Sequence, residues 1–538
     1  MLAMVAAVGL FTASAQAKSK TQTEVIPGQY LVKYKGPAFS SLWAFKASGR
    51  LRLLSHHAIG KLVKIEVSPA DESRTLAQLA IDKNIEYIVP NQRLHILRDT
   101  VNSRSTLTAS ASAQALRDQW HLKKIHAEEA WTRAGNKGSH NVLVAVIDDG
   151  IDYEHGALKP NLVPGYDFYE NDSDPMDRSS GHGTHVAGLI GATGLVANGT
   201  IGISPEVTIM PIRFIGDEGG DLDSAIKAID YAIQKGAKVL SNSWGGAFDP
   251  ISAKPLIEAV KRADDAGAIF IVAAANDGDN NDKVNMYPAN AIFPNTITVA
   301  ASDSRDGKPS WSNYGRANVH LASPGNNILS TMPNNSYASM SGTSMATPIV
   351  SGVVALLLAQ DPTLTGAQVR ALLQLTGAKV NIETACRCRI DAGAAMDLVV
   401  SKQMFITPAA ATLKVGEQLN FTGTHGVAPF TFTVADSTIG SINADGTFTG
   451  TAAGETTVTV VDSTGQSSTS LAIRVLAASK GDNGTGNKPP TTPPQEPTQP
   501  PSQPPTEPPS NEPSKCPYND PAICDYICYY KPEQPFCH

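Results

Sequence analysis

The apolar positions of this 538-residue chain change their period several times, and each change marks a unit. Within residues 24–98, segments 29–33 and 62–67 alternate apolar and polar side chains in strand fashion. Segment 76–82 has helical spacing after Ser73, and 85–89 reads again as a strand. This predicts a small α/β unit. Residues 99–117 are rich in Ser, Thr and Ala, carry no periodic apolar face, and read as an exposed linker.

From residue 118 the pattern becomes one of short, continuous apolar runs: 141–147, 207–212, 237–240, 268–274, 296–301 and 318–321. Helical patterns lie between many of them. Asp221, Leu222, Asp223 and Ser224 precede AIKAIDYAIQK, which stops at Gly236, so this helix has an acidic start and a glycine end. Segments 250–266 and 342–360 also read as helical. Strands alternating with helices predict a parallel sheet with helices on both faces. Ligands of such sheets bind beyond the carboxyl ends of the strands. Asp148 follows one such end and Asn276 another. Residues 401–476 hold short Thr- and Val-rich alternations that suggest a β-sandwich. Residues 477–514 are a polyproline spacer that cannot form a core.

Charge sharpens the division. The net charge is -7, which gives no reason to expect a nucleic-acid or membrane-surface binder. Residues 24–98 nevertheless carry 11 Lys/Arg against 6 Asp/Glu, whereas residues 118–538 have a net charge of -15. A basic unit therefore precedes an acidic remainder. Residues 1–17 are apolar and end in Ala15-Gln16-Ala17, the pattern of a secretory signal peptide, although a basic start is missing. No other run reaches the roughly 20 apolar residues expected of a transmembrane segment. The expectation is a secreted, extracellular protein. Cys516, Cys524, Cys528 and Cys537 crowd the last 23 residues and suggest a disulfide-stapled mini-domain of open connectivity. Cys386 and Cys388 suit a local bridge, free thiols or metal binding, and we expect the bridge.

Three segments carry chemistry. VAVIDDGID runs from 144 to 152, GHGTHVAG from 181 to 188, and SGTSMATP from 341 to 348. They supply an Asp, a His and a Ser in that order, the Asp at a strand end and the Ser at a helix start. Together these side chains can form a serine nucleophile, a general base and an orienting carboxylate. The order differs from the Ser, Asp, His order of α/β-hydrolase esterases.

These motifs resemble the subtilisin-like serine peptidases (subtilases) over residues 118–400. The resemblance implies Ser344 as nucleophile, His182 as base and Asp148 as its orienting acid, while Asp149, Asp152 and His185 serve turns and packing. Asn276 is implied as side-chain donor to the oxyanion, with Ala275 where the family usually has Gly. Ser243, Trp244 and Gly245 match one substrate-binding edge, and 214–222, including Gly219, matches the other. Ala273, Ala275 and Met286 are implied to line the pocket for the residue before the cut. Met286 stands where the family often has Gly, so a shallow pocket for small or medium apolar side chains is expected. Asp217, Glu218, Asp221 and Asp223 add the expectation of a bias toward basic residues upstream of the cut, beside the plainer reading of a solvated loop and helix start.

The chemistry requires no cofactor. Structural calcium is compatible with the family, but 155–158 reads HGAL where one calcium carboxylate is usual; residues 171–177 (NDSDPMD) offer another acidic loop, with ligands undetermined. Residues 24–98 resemble the inhibitory propeptide of this family through PGQYLVKYKG and IEYIVPNQRLHIL. The 401–476 region resembles bacterial immunoglobulin-like domains. The expected organisation is a signal peptide (1–17), inhibitory propeptide (18–98), activation linker (99–117), subtilisin-like α/β peptidase domain with a parallel sheet (118–400), immunoglobulin-like β-sandwich (401–476), Pro-rich linker (477–514) and Cys-rich mini-domain (515–538). The expected partners are protein or peptide substrates and the chain's own propeptide. A surface or polysaccharide ligand for the C-terminal modules is the main alternative role, on an inactive peptidase scaffold.

Overall fold

The computed structural model describes residues 24–35, 46–47, 49–97, 99–105, 119–196 and 199–477. The signal segment, most of the linker and spacer, and the tail with Cys516, Cys524, Cys528 and Cys537 lie outside the described residues.

The N-terminal unit has four strands, β1 (Val25–Tyr34), β2 (Leu51–His57), β3 (Leu62–Val67) and β4 (Ile85–Ile96), with helix α1 (Glu72–Ala80) between the last two. They form an antiparallel sheet in the order β4-β1-β3-β2. The alternation at 62–67 buries Leu62, Val63, Ile65 and Val67. β4 is far longer than the 85–89 expected. Its second half leaves the unit's own sheet to pair with the next domain, a partnership that local periodicity does not encode.

The central sheet is parallel over its main strands. It runs from β13 (Leu321–Pro324) through β12 (Thr296–Ser302), β11 (Ile269–Ala273), β9 (Val239–Asn242) and β6 (Leu143–Asp148) to β7 (Thr208–Arg213). The apolar runs are continuous because helices cover both faces. Among these helices are α2 (His182–Gly191), α3 (Leu222–Gln234), α4 (Lys254–Asp265) and the central α5 (Thr343–Gln360). Helix α5 is long and apolar enough to cross a membrane, yet 89% of its apolar window is buried, so it is a core helix. The strand expected at 318–321 begins only at Leu321. The backbone N–H groups of Arg316, Ala317 and Asn318 all donate to the Asp282 carboxylate at 2.8–3.0 Å, which holds this stretch as a turn.

The chain passes from β6 outward to β7, then returns to place β9 on the other side of β6. The sheet therefore reverses its strand order between β6 and β9, and the crevice at their carboxyl ends is where doubly wound sheets bind ligands. Asp148 ends β6, and Ser243 follows β9.

The C-terminal unit consists of short strands from Phe405 to Leu476 around Ile406, Phe421, Phe448, Val458, Val460 and Ile473. It is docked on the α/β domain. Phe405 and Ala409 belong to the main α/β core, and Arg316 pairs with Glu455 at 2.6 and 3.2 Å. Cys386 and Cys388 form a buried disulfide with Cα atoms 5.1 Å apart.

Candidate active site

The fold brings the three motif residues to one crevice. His182 Nδ1 lies 2.7 Å from Asp148 Oδ1, and both side chains are buried. The Asp149 N–H donates to the same carboxylate oxygen at 2.9 Å, which fixes its orientation. Helix α2 approaches β6 closely because residue 183 is glycine; a Cβ there would lie 2.1 Å from the Gly150 carbonyl. Asp149 accepts from the Gly183 N–H and from the Ser179 and Ser180 hydroxyls. Asp177 accepts from the N–H groups of Ser179 and Gly181 and from the Thr184 hydroxyl. Asp152 accepts from the N–H groups of Glu154 and Asn334, and His185 Nε2 faces the carbonyls of Ile328 and Ala338. These groups hold the loop and helix that present His182.

Ser344 is the second residue of α5. Its carbonyl lacks the usual helical partner because residue 348 is proline and has no N–H. The Ser243 hydroxyl fills that position, donating to the Ser344 carbonyl at 3.0 Å. The Ser344 hydroxyl points toward the Ser243 carbonyl, 3.4 Å away. Asn276 lies just beyond β11. Its Oδ1 accepts from the N–H and hydroxyl of Thr343, which directs Nδ2 into the crevice. Ala275, before it, takes a φ of +94°, a conformation that normally selects glycine.

Sequence reasoning missed Asp99. Its carboxylate is held between His182 Nε2, at 2.9 Å, and Asn276 Nδ2, which donates to it at 2.8 Å. A linker Asp carries no motif, and only the path of the chain brings it here. Burial opposes charge on His182, but Asp148 and Asp99 outweigh it and raise the imidazole well above its usual range. Burial also pushes the Asp148 carboxyl up to about 6, against the pull of His182. For this coupled pair the charged imidazole between two carboxylates is the stronger feature, because both oxygens meet it at hydrogen-bond distance.

The cleft on either side of Asp99 is filled by the chain's own strands. In β4, Arg93 and Leu94 pair with β8 (Gly220–Asp221), while His95 and Ile96 pair with β10 (Trp244–Gly245). Gly219 leaves room for this strand, since a Cβ there would lie 2.7 Å from the Leu94 carbonyl. Leu94 and Leu97 join one buried cluster with Trp244, Ala273, Ala275 and Met286. Beyond Asp99, β5 (Thr100–Ser105) pairs antiparallel with β14 (Ser336–Ser341). Within the stretch 99–117 read as an exposed linker, residues 100–105 form a strand: backbone pairing with a sheet edge, rather than an apolar face, orders them, while Thr100 and Val101 stay exposed.

The acidic positions separate. Asp221 caps α3 and meets Lys64 at 2.8 Å and Asn91 at 3.0 Å; Asp223 is buried against Ser55 and Lys227; Glu218 faces Arg93. Within loop 171–177 the carboxylates make local contacts. Asp172 accepts from the Asp174 N–H, Asp174 engages Tyr153 and Arg178, and Asp177 is used as above. Among the described residues, the one cluster with metal-ligand spacing is Asp148, Asp149 and His182.

Comparison with known proteins agrees with this geometry. Residues 139–391 match the subtilase family model (Peptidase_S8), and residues 400–473 match a bacterial Ig-like domain of group 2. The chain is 38% identical over 264 residues to thermitase of Thermoactinomyces vulgaris, covering 49% of this chain and 89% of that protein. It is 32% identical over 370 residues to subtilisin E of Bacillus subtilis strain 168, covering 68% and 88%. Its fold is similar to that of fervidolysin from Fervidobacterium pennivorans, described as a keratinolytic enzyme related to subtilisin, with a TM-score of 0.60 at 23% identity over 82% of this chain and 71% of that one. A crevice at the switch point of a parallel sheet, with Asp148, His182 and Ser344 delivered to it in that order, and relatives covered over most of their length lead to one conclusion: the chain belongs to the subtilase family and is a subtilisin-like serine protease.

Proposed function

We propose that this protein is a secreted endopeptidase, made as an autoinhibited precursor, that cuts peptide bonds through Asp148, His182 and Ser344. The observation that carries this reading is the 2.7 Å contact of His182 with Asp148 beside the helix start bearing Ser344. Ser344 Oγ attacks the scissile carbonyl carbon as His182 Nε2 takes its proton. The resulting oxyanion accepts hydrogen bonds from Asn276 Nδ2 and the Ser344 N–H. His182 then protonates the leaving amine, which departs and leaves an acyl-enzyme. Water, deprotonated by His182, releases the acid and restores Ser344. Asp148 holds the imidazole in the required tautomer and stabilises its charged form.

Residues 24–98 act as the inhibitory propeptide. Supporting this role, β4 lies across the cleft, Lys33 meets Glu258 of α4 at 2.8 Å and Lys64 meets Asp221, the cap of α3, at 2.8 Å, while the His57 imidazole lies 3.0 Å from Asp230 of α3. The burial of Leu94 and Leu97 supports a preference for apolar side chains in the cleft, small or medium in size where Met286 stands. Export is supported by the Ala15-Gln16-Ala17 pattern and the Ig-like domain.

The test is casein hydrolysis by the purified protein and its Ser344→Ala variant. The wild type clears casein, and the variant does not and accumulates as precursor. Clearing by the variant would overturn the mechanism.

A further inference from the structure

A chain that crosses a protease cleft in both directions is expected to present a peptide carbonyl to the oxyanion donors. Here that position is taken by a side chain. Asp99 Oδ2 faces His182 Nε2 at 2.9 Å, and Oδ1 accepts from Asn276 Nδ2 at 2.8 Å. The carboxylate and imidazole are 3% and 1% exposed, so both bonds are charge-assisted in a site closed to water. Oδ1 also presses on the start of α5; a Cβ on Gly342 would lie 1.6 Å from it, so only glycine admits the carboxylate. The N-terminus of an 18-residue helix favours an anion at that point. Ser344 Oγ meanwhile faces the Ser243 carbonyl and not the base.

We infer that Asp99 is an internal inhibitory side chain that holds the threaded segment 93–105 as an inhibitor instead of a substrate. The inference rests on the serine protease reading of the site. A carboxylate is a poor target for Ser344, since it is already anionic and its carbon bears no amine to expel. While it occupies His182 Nε2, the base cannot take the serine proton. While it occupies Asn276 Nδ2, that oxyanion donor is blocked. Two strand anchors support it, β4 on the Trp244–Gly245 edge before it and β5 on the Ser336–Ser341 edge after it. An acidic residue between two such anchors therefore opposes cleavage, and the side chain at 99 sets the rate at which the precursor matures.

The test compares full-length chains carrying Asp, Asn or Ala at position 99. With Ser344 intact, Asp99→Ala sheds the N-terminal unit at least about tenfold faster than wild type, and Asp99→Asn falls between them, read by gel and by mass spectrometry of the new N-terminus. Equal or slower processing, with casein hydrolysis by the mature enzyme unchanged, overturns the inference. A second measurement needs no catalysis and so separates failure of this inference from failure of the protease reading. In the Ser344→Ala chain, Asp99→Ala raises amide hydrogen exchange across 93–105 about tenfold, because the segment loses its central anchor. Unchanged exchange overturns the inference. If the Asp99→Ala chain does not fold, synthetic peptides of residues 93–105 decide. The wild-type peptide inhibits the mature enzyme and persists, while the Asp99→Ala peptide is cut; equal cutting of both overturns the inference.

Discussion

The side-chain amide of Asn276 is oriented by Thr343, whose N–H and hydroxyl both donate to Asn276 Oδ1 at 2.9 Å. An amide free to flip would present its oxygen to the oxyanion half the time, so these two bonds convert a loop asparagine into a fixed donor. Removal of the equivalent donor in subtilisin costs roughly 100- to 1,000-fold in turnover, and we expect a loss of that size in Asn276→Ala. Thr343→Val keeps the shape and the N–H but deletes the hydroxyl. It lowers kcat about tenfold with little change in KM, because the ground-state peptide does not depend on this bond. Steady-state kinetics on a chromogenic peptide check both; a change confined to KM contradicts the assignment.

Ala275 sits at φ +94° next to this donor, where an L-residue is strained by about 1–3 kcal/mol. Glycine relieves the strain but adds entropy to the unfolded chain, about 0.5–1 kcal/mol. Ala275→Gly is therefore expected to stabilise the fold by about 1 kcal/mol. Denaturant unfolding in a Ser344→Ala background, which prevents self-digestion, measures this, and destabilisation would show that the backbone is not strained there.

Asp177 carries a pH signature. Burial, and then the charge of Asp149, raise its carboxyl to about 7, far above the unfolded value. The native state therefore holds a proton that the unfolded state has released between about pH 4 and 7, so Asp177 makes stability fall as pH rises through this window. Asp177→Asn keeps an acceptor for the Ser179 and Gly181 N–H groups without a titrating proton. The variant should lose less stability between pH 5 and 8 than wild type, as judged by the midpoint of chemical denaturation. Identical pH slopes would contradict this role.

Phe405 begins the Ig-like unit but is buried in the core of the protease domain. Phe405→Ala is expected to cost about 3–5 kcal/mol, the usual range for a buried aromatic. The loss should appear in the unfolding of the protease domain itself, followed by calorimetry or by thermal inactivation. A loss confined to a separate C-terminal transition would mean that the two units are not coupled.

Much of the site was legible in the sequence because its parts are local. A continuous apolar run ending in Asp148, a helix opening at Ser344, and the GHGTHVAG segment each declare their element and their chemistry within a few residues. The Asn276 position follows from the same strand-end logic. The strand drawn too early at 318–321 shows the limit, since Asp282, distant in sequence, holds that stretch as a turn.

By itself, the sequence determined the class of sheet, the order of the motif residues and the charge contrast between a basic unit and an acidic remainder, because period and composition are properties of the chain alone. Only tertiary structure decided which groups meet at His182. The long reach of β4, the pairing of 100–105 with Ser336–Ser341, and the arrival of Asp99 between His182 and Asn276 all depend on backbone hydrogen bonds between distant segments. Such bonds are made by groups that every residue except proline carries, so their partners leave no mark in the sequence. The catalytic motifs were readable for the opposite reason: their chemistry requires particular side chains at particular places.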